Sequence, residues 1–299
     1  MKEPLVSIII TTHRGSDSII RCVQSVLNQV YKPIEVIVVD DNGLGSEEQQ
    51  RTEKSLAEFI QNGQVKYKAH EFNKNGSAAR NTGFALSKGD LIGFIDDDDQ
   101  YLPDKLSKSV DVLTKLDRSW GGCYTDAIVN KGNHEQYQTF SNIEGHMLFQ
   151  TLCHLVFMNP STLVLRREVV QRLHGFDESF QRHQDFEFNA RLANLCKLKH
   201  INYVGSIYNS QNHRHYNKER AIEYRSFYIK KMQPLILQFS LSKQKIIATR
   251  NAVEVFGVKI DQYSKCKELC KEWGYSINLL SYINTLVMTY IERKKLIRI

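Results

Sequence analysis

The sequence predicts an α/β fold in which a mainly parallel central sheet is flanked by helices on both faces and followed by a helical extension. Short, apolar, β-branched runs alternate with longer amphipathic runs through the first hundred residues, which is the order of repeated strand–helix units. The short runs are apolar almost throughout, as is typical of parallel strands covered on both faces. From about residue 216 onward the pattern is helical only.

The elements of the first half follow in order along the chain. Runs of strand length predict strands over residues 5–10, 34–39, 65–69 and 91–95. Amphipathic runs between them predict helices over residues 19–27, 50–60 and 77–86. In the first helix we expect Ile19, Ile20 and Val23 to face inward, and Asp17 and Arg21 to face outward.

Strands and helices alternate less regularly in the predicted second half. A helix over residues 103–116 begins with Pro103 at an early position, which a helix tolerates. Residues 120–142 are rich in Gly and Asn and predict a strand pair. A further strand over residues 161–165 and two further helices complete this half, the helices over residues 167–173 and 184–194.

The composition excludes several classes of protein. The 299 residues are 41% hydrophobic and 24% charged, and no run approaches the ~20 apolar residues that span a bilayer. The first residues lack the pattern of a secretory signal, so we expect a cytoplasmic protein with six reduced cysteines. The net charge of +7 is uneven, since residues 216–299 hold 16 Lys and Arg against 7 Asp and Glu.

The most informative motif is four consecutive carboxylates, Asp96 to Asp99, directly after the apolar run 91–95. Adjacent carboxylates repel each other, and water screens them poorly beside a packed core. A hard divalent cation relieves this repulsion, and Mg2+ or Mn2+ prefers carboxylate and phosphate oxygens. The motif therefore predicts metal-bridged recognition of a phosphate-bearing ligand. The alternative is a solvated acidic loop.

Polar loops follow three of the predicted strands, and we expect them to meet. They are Thr11 to Arg14, Asp40 to Asn42, and the four carboxylates. Ligands of open parallel sheets bind outside the carboxyl ends of the strands, where such loops converge. Neither a GxGxxG nor a GxxxxGK[ST] motif follows the first strand, so a bound diphosphate would need a metal and an arginine for neutralisation.

Three further side chains are candidates for the same site. Arg80, after the small residues 76–79, can pair with phosphate or form a surface salt bridge. Asp185, at the start of a predicted helix, can act as a general base or as an N-cap. Glu187 is two residues away and diverges from it by roughly 200° on a helix. His213, in the run 212–215, either completes a metal shell or lies in an exposed turn.

Together these motifs resemble the family 2 glycosyltransferases with a GT-A fold, over roughly residues 4–215. The similar blocks are the turn Thr11-Thr12-His13-Arg14, the strand end Asp40-Asp41-Asn42-Gly43, the segment Gly76 to Asn81, the run Asp96 to Asp99 with Pro103, the segment Gly175 to Glu178, and Gln184 to Glu187. Two departures from the family pattern stand out. His13 replaces the usual Tyr, and Gln184 replaces the usual acid before Asp185, which we expect to lower the pKa of Asp185 slightly.

The resemblance implies a nucleotide-sugar donor, usually UDP-linked, with Mn2+ or Mg2+ and inversion at the anomeric carbon. It places Thr11, His13 and Asp41 at the base, with Asp40 assisting and Arg14 and Asp97 among the donor-binding residues. Arg80 would lie near the diphosphate. Asp96 would meet the ribose or the metal, and Asp98 would bind the metal. Asp185 would be the general base.

The resemblance also suggests how the chain is divided. Residues 1–215 would form a GT-A catalytic domain, with the nucleotide-sugar bound by 1–105 and the acceptor side in 106–215. Residues 216–299 would be a basic helical extension. The Gln/Arg-x-x-Arg-Trp motif of processive synthases is absent, which favours transfer of a single sugar to a glycan or lipid-linked acceptor in cell-surface polysaccharide synthesis.

Two other functions agree less well with the sequence, and the extension has two interpretations. A nucleotidyltransferase also needs a carboxylate-bound metal, but residues 11–15 are a poor substitute for its Gly-rich loop. We expect no nucleic-acid binding, because the basic residues of the extension alternate with Leu, Ile and Val. Residues 275–299 either lie on an anionic membrane surface or pack on the catalytic domain or a second subunit.

Overall fold

A computed structural model describes residues 3–132, 135–210, 217–294 and 297–298. The first half holds four parallel strands, β1 (Val6–Thr12), β2 (Ile34–Asp40), β3 (Lys66–Ala69) and β4 (Leu91–Asp96). They lie in the order β3-β2-β1-β4. Three helices connect them: α1 (Ile19–Leu27), α2 (Glu47–Gln61) and α3 (Gly76–Leu86). The predicted parallel α/β unit is confirmed here.

Two local details of this half differ from the prediction. Helix α2 begins three residues earlier than predicted, because the side chain of Ser46 accepts a hydrogen bond from the amide of Gln49 and caps the first turn. Ile20 was expected to face inward, but its side chain is 38% exposed, while Cys22 of the same helix is fully buried. The inward stripe of α1 is therefore Ile19, Cys22, Val23 and Val26.

The second half of the sheet is mixed rather than parallel. Its strands are β5 (Gln100–Tyr101), β6 (Trp120–Asn130), β7 (Gln136–Gln138), β8 (Leu163–Arg166) and β9 (Lys197–Asn209). Strand β8 pairs antiparallel with β4 and β6, whereas β9 pairs parallel with β6. The predicted parallel pairing is present in the first four strands and in the β6–β9 pair, and β5, β7 and β8 add antiparallel pairings. Four helices accompany this half: α4 (Lys105–Lys115), α5 (Leu148–Leu152), α6 (Arg167–Arg172) and α7 (Gln184–Leu195).

Strand β9, with 13 residues, was missed by the sequence analysis. Its register against β6 shifts at three places, between residues 120 and 127 of β6. Two of these shifts leave residues of β9 without a partner on β6, between residues 201 and 206, and this breaks the two-residue alternation by which a strand is recognised. The predicted strand over residues 161–165 begins later in the structure, at Leu163, because Pro160–Thr162 form a 3-10 turn before β8.

The C-terminal region is helical as predicted, and it shares a core with the rest of the chain. Its helices are α8 (Lys218–Ile236), α9 (Leu241–Phe256), α10 (Tyr263–Glu272) and α11 (Leu279–Lys294). One hydrophobic cluster joins Tyr228, Ile247 and Leu269 of these helices to Leu152 and Phe180 of the preceding half. A short final strand, β10 (Ile297–Arg298), pairs antiparallel with β7. The extension is therefore packed against the α/β unit.

The cysteines and the hydrophobic helices agree with the composition analysis. All six cysteines are buried and unpaired. In the part of the chain that the structure describes, no helix combines the length and the apolar character needed to cross a bilayer.

Lys105, the first residue of α4, carries a buried amino group. Its side chain is fully buried, and its Nζ donates to the carbonyl of Thr162 at 2.8 Å. The same nitrogen lies 4.9 Å from the centroid of the Tyr101 ring. Burial lowers the pKa of Lys105 to about 7, since charging an amine away from water is unfavourable.

We expect the substitution Lys105→Met to change how stability depends on pH. Between pH 7 and pH 9 the unfolded wild-type chain keeps the proton on this lysine, while the folded chain loses it. The wild type therefore gains stability with rising pH, and relative to Lys105→Met this gain is about 2 kcal/mol. Urea unfolding of both proteins at pH 7, 8 and 9 measures it. Lys108→Met, at an exposed position of the same helix, is the control. A difference between Lys105→Met and wild type that does not vary with pH would contradict the expectation.

Candidate functional site

A cleft of about 1340 Å3 lies where the polar loops of the first half meet helix α7 and the C-terminal helices. Most of the predicted site residues line it: His13, Arg14, Asp41, Arg80, Asp96, Asp97, Asp98 and Asp185. Thr11 lies in β1 beside the cleft, paired in register with Val39 of β2 and Asp96 of β4. His213 lies outside the described residues. The predicted convergence of three loops at the carboxyl ends of the strands is therefore present.

The four consecutive carboxylates divide into two kinds. The amide of Asp99 donates to the carbonyl of Asp96 at 3.0 Å, so the chain turns sharply after β4. Asp99 is fully buried and accepts hydrogen bonds from the hydroxyl of Ser161 and the amide of Asn209. Burial raises the pKa of Asp99 well above its usual range. Asp96 and Asp98 are partly exposed and face the cleft.

Asp97 is held in the base of the turn. Its Oδ2 is buried without a hydrogen-bond partner, and a Cβ on Gly15 would lie 1.8 Å from it. Burial raises the pKa of Asp97 to about 7, and the charges of Asp98 and Asp96 add to this shift. The absence of a side chain at Gly15 therefore makes room for Asp97. Asp97 therefore shapes the turn and also lines the cleft, where its donor-binding role stays a prediction.

Asp96 and Asp98 are the carboxylates that could hold a divalent cation. Mg2+ in such sites is held by one or two carboxylates together with substrate phosphates and water. No third His, Cys, Asp or Glu completes a metal-binding group among the residues that the structure describes. The charges of Asp98 and Asp96 both raise the pKa of Asp97, so negative charge is crowded at this turn. The residues present thus fit an open site that needs ligand oxygens to be complete.

Asp40 and Asp41, adjacent in the sequence, point to different surroundings. Asp40 is fully buried, and its carboxylate accepts from the hydroxyl of Tyr67 at 2.8 Å and the amide of Asn42 at 2.9 Å. It does not line the cleft, so the expected assisting role is limited to supporting the loop. Asp41 does line the cleft, and its carboxylate is also held by the protein.

The carboxylate of Asp41 organises the loop that leads into α3. Its Oδ1 contacts Nδ1 of His70 at 2.7 Å and accepts from the amide of Lys74 at 2.8 Å. Its Oδ2 accepts from Nδ2 of Asn73 and from the amide of Asn75, each at 2.9 Å. His70 is buried and was not identified from the sequence, where a lone histidine carries no signal.

Arg80 joins the two halves of the site. Its Nη2 donates to Oδ1 of Asp96 at 2.6 Å, and its Nη1 donates to Oε1 of Gln184 at 3.2 Å. The guanidinium also lies 5.2 Å from the centroid of the Phe176 ring. Neither predicted alternative for Arg80 included this contact with α7. Arg80 therefore sets the position of Asp96 relative to the start of α7.

Asp185 lies in the first turn of α7 and faces the cleft. The N-cap is His183, in the left-handed conformation with φ of 62°, so the alternative that Asp185 is the N-cap is wrong. Burial raises the pKa of Asp185, opposed by the amide of Phe186 and the charge of Arg80. Glu187 is buried elsewhere and is paired with Arg191 through Oε2 at 2.7 Å.

Several residues of the cleft were missed by the sequence analysis. His154, His183 and Tyr208 come from the second half, and Arg225 and Arg250 come from α8 and α9. None belongs to a motif with a characteristic spacing. The excess of basic residues after 216 was the only available signal, and it did not show which arginines are buried.

The family comparison agrees with this geometry. The family model described as "Glycosyl transferase family 2" matches residues 7–173, more than half of the chain. A similar curated protein is the amylovoran biosynthesis glycosyltransferase AmsB of Erwinia amylovora, 26% identical over 246 residues, which covers 78% of this chain and 79% of that protein. The chondroitin synthase of Escherichia coli is 30% identical over 210 residues, covering 68% of this chain but only 28% of the synthase.

Solved structures with the same fold include two glycosyltransferase complexes. S. aureus TarS 1-349 in complex with UDP-GlcNAc has a TM-score of 0.65 at 13% identity, covering 97% of this chain and 87% of that one. The mannosyltransferase PcManGT from Pyrobaculum calidifontis, in complex with GDP-Man and Mn2+, has a TM-score of 0.62 at 14% identity. The match covers 98% of this chain and 82% of that one. The fold is therefore GT-A, as the sequence predicted.

We expect Asp41→Asn to destabilise the protein by about 2–4 kcal/mol. The substitution replaces an acceptor of four hydrogen bonds by a group that presents an NH2 to backbone amides, and hydrogen bonds to a charged group contribute about 1.5–3 kcal/mol each. Urea unfolding measures the change. Asp111→Asn, at an exposed carboxylate paired only with Lys115, should lose at most about 0.5 kcal/mol. Equal effects of the two substitutions would show that Asp41 does not hold the loop.

Proposed function

Because the chain belongs to glycosyl transferase family 2 and is a glycosyltransferase, we propose that it transfers a single sugar from a nucleotide-sugar donor, with inversion and with a divalent metal. The preferred donor is a UDP-sugar, and the acceptor is a glycan or a lipid-linked glycan of cell-surface polysaccharide synthesis. The likeness to AmsB, named for amylovoran biosynthesis, supports the pathway class. The observation that carries the proposal is the single cleft that joins the carboxylates after β4, the loop held by Asp41, and Asp185.

The donor half of the cleft is assigned to the loops of the first half. Thr11, His13, Arg14 and Asp41 would surround the nucleotide base, and His13 would replace the usual Tyr. Arg80 would lie near the diphosphate, because its guanidinium already pairs with Asp96 at the metal-binding edge. The UDP-GlcNAc and GDP-Man complexes of the structural neighbours support a nucleotide-sugar, although each ligand belongs to that neighbour alone.

Asp98 and Asp96 would hold the divalent cation, which supplies neutralisation of the charge that grows on the leaving diphosphate. Asp185 would accept the proton of the acceptor hydroxyl as the oxygen attacks the anomeric carbon. Its raised pKa suits this role, since a carboxylate with a pKa nearer neutral is a stronger base. Attack from the face opposite the diphosphate in one displacement gives inversion.

The alternative functions lose support. The family match gives no reason to prefer the nucleotidyltransferase, which would release pyrophosphate where a glycosyltransferase releases a nucleoside diphosphate. The family match likewise gives no support to nucleic-acid binding.

We expect Asp98→Asn and Asp185→Asn to abolish sugar transfer for different reasons. Asp98→Asn should weaken Mn2+-dependent binding of the donor nucleotide by at least tenfold, because a metal ligand loses its charge. Asp185→Asn should lower kcat by about 10²–10⁴-fold, which is the usual contribution of a general base. Its affinity for the donor nucleotide should stay within about twofold of the wild-type affinity. Titration calorimetry with UDP and Mn2+ measures binding, and release of nucleoside diphosphate measures turnover.

Asp104→Asn, at an exposed carboxylate near the same loop, is the matched control and should behave as the wild type. A fully active Asp185→Asn enzyme would exclude Asp185 as the base. Unchanged Mn2+-dependent UDP binding in Asp98→Asn would exclude Asp98 as a metal ligand.

Helix α11 supports a peripheral membrane location for the proposed enzyme. Its buried residues include two threonines, Thr285 and Thr289, whereas its apolar side chains are largely exposed. Leu280, Ile283 and Val287 are 68%, 37% and 51% exposed and lie on one face of the helix. The basic sequence 293–295 follows. An exposed apolar stripe that is followed in the sequence by basic residues is complementary to an anionic membrane surface.

We expect the triple substitution Leu280→Ser, Ile283→Ser and Val287→Ser to abolish binding to vesicles that contain anionic lipid. The apolar side chains are already exposed, so the free energy of unfolding should change little. Co-sedimentation with vesicles of phosphatidylglycerol and phosphatidylethanolamine, at low and high salt, measures binding. Binding of the wild type should fall at high salt because the basic residues are screened.

The control carries three serines at other exposed apolar positions, Val30, Leu237 and Leu241, and should bind vesicles as the wild type does. Analytical ultracentrifugation tests the self-association alternative. A wild-type dimer that the α11 substitutions convert to a monomer, without vesicle binding, would refute the membrane assignment.

A further inference from the structure

The C-terminal helices bring two buried arginines into the same cleft as Asp185. Arg225 of α8 and Arg250 of α9 are only 6% and 3% exposed, and both line the cleft. Buried arginines are uncommon unless their charge and their five N–H donors are satisfied. The two side chains differ in how far the protein satisfies them.

Arg250 is held by the protein. Its Nε donates to the carbonyl of Cys153 at 2.9 Å, and its Nη1 donates to the hydroxyl of Thr289 of α11. Its Nη2 lies 3.4 Å from the carbonyl of His154. These contacts join α9 and α11 to the segment after α5, so Arg250 serves chiefly to fix the wall of the cleft.

Arg225 is less completely satisfied. Its Nη1 contacts Nε2 of His154 at 2.8 Å and Oδ1 of Asn251 at 2.9 Å. Its Nε is buried and has no hydrogen-bond partner. Glu254 is close enough to favour the charged guanidinium, but no carboxylate of the described residues lies within ion-pair distance of it. A buried cation without a paired anion is unfavourable, and an anionic ligand would relieve this cost.

The surroundings of Arg225 connect it to the reacting position. Its guanidinium lies 5.3 Å from the centroid of the Phe186 ring, and Phe186 follows Asp185 directly. The ring of His183 is stacked on Phe186 with centroids 5.2 Å apart. Burial lowers the pKa values of His154 and His183, and the charge of Arg225 lowers both further. The two imidazoles therefore stay neutral, and the positive charge beside the Phe186 ring is that of Arg225.

We infer that Arg225 binds an anionic group of the acceptor, either the carboxylate of a uronic acid or a phosphate ester, and so places the acceptor hydroxyl beside Asp185. The inference rests on the proposed function, because it assigns the acceptor side of that same cleft. A guanidinium donates two parallel hydrogen bonds to either anion, and Nε is one of the donors used in such pairs. Helices α8 and α9 would then form part of the acceptor site.

The test uses the full-length protein with UDP and Mn2+ bound, and three small probes: methyl β-glucuronide, its neutral counterpart methyl β-glucoside, and glucose 6-phosphate. The NMR signal of His154, assigned from a His154→Gln spectrum, reports binding beside Arg225. We expect the glucuronide or the sugar phosphate to bind at least tenfold more tightly than the glucoside. Tighter binding of the glucuronide would identify the anion as a carboxylate, and tighter binding of glucose 6-phosphate would identify it as a phosphate.

Arg225→Gln should abolish this preference, and Arg225→Lys, which keeps the charge but not the paired donors, should weaken it about tenfold. Arg118→Gln, at an exposed arginine paired with Glu168, is the control and should leave the preference intact. Binding of UDP with Mn2+ should be unchanged in all three variants, which shows that they are folded. Equal binding of the anionic and neutral probes by the wild type, with UDP still bound, would overturn this inference alone. Failure of the wild type to bind UDP would instead overturn the proposed function.

Discussion

Repulsion among four consecutive carboxylates is the constraint around which this protein is arranged. The turn after β4 separates them: Asp99 is buried against Ser161 and Asn209, Asp97 is enclosed beside Gly15, and Asp96 is paired with Arg80. Asp96, Asp97 and Asp98 form the acidic edge of the cleft, and of these Asp97 has its Oδ2 buried. Arg80 also reaches Gln184, so the contact that offsets the charge of Asp96 positions the helix that carries Asp185.

The helical extension completes the cleft as well as the core. Its apolar residues join a cluster that includes Leu152 and Phe180, while Arg225 and Arg250 supply a basic wall. The cleft is therefore acidic where the β4 turn enters it and basic where α8 and α9 enter it. A donor with a diphosphate needs a cation at the acidic edge, whereas an acceptor with a negative charge could pair directly with the basic wall. This division of charge gives the two proposed substrates different physical requirements.

Burial decides which acidic residues can contact a ligand. Asp40 and Asp41 are adjacent and chemically identical, yet Tyr67 and Asn42 hold Asp40 away from the cleft. Asp41 reaches the cleft with its carboxylate already engaged by the loop before α3. The buried carboxyls of Asp97 and Asp99 have raised pKa values because their charged forms are poorly solvated. Counting acidic residues in a motif therefore overstates the number available to a metal.

The sequence by itself determined the order of strands and helices in the first half and the positions of the polar loops, because both depend on local periodicity and composition. It also identified Asp96, Asp98, Asp185 and Arg80 as residues of one site. Only the tertiary structure decided which carboxylates face the cleft, and that β9 supplies Asn209 to hold Asp99 across 110 residues. It likewise brought Arg225 against His154, 71 residues away. Such contacts depend on the packing of distant segments, so a local pattern of residues does not predict them.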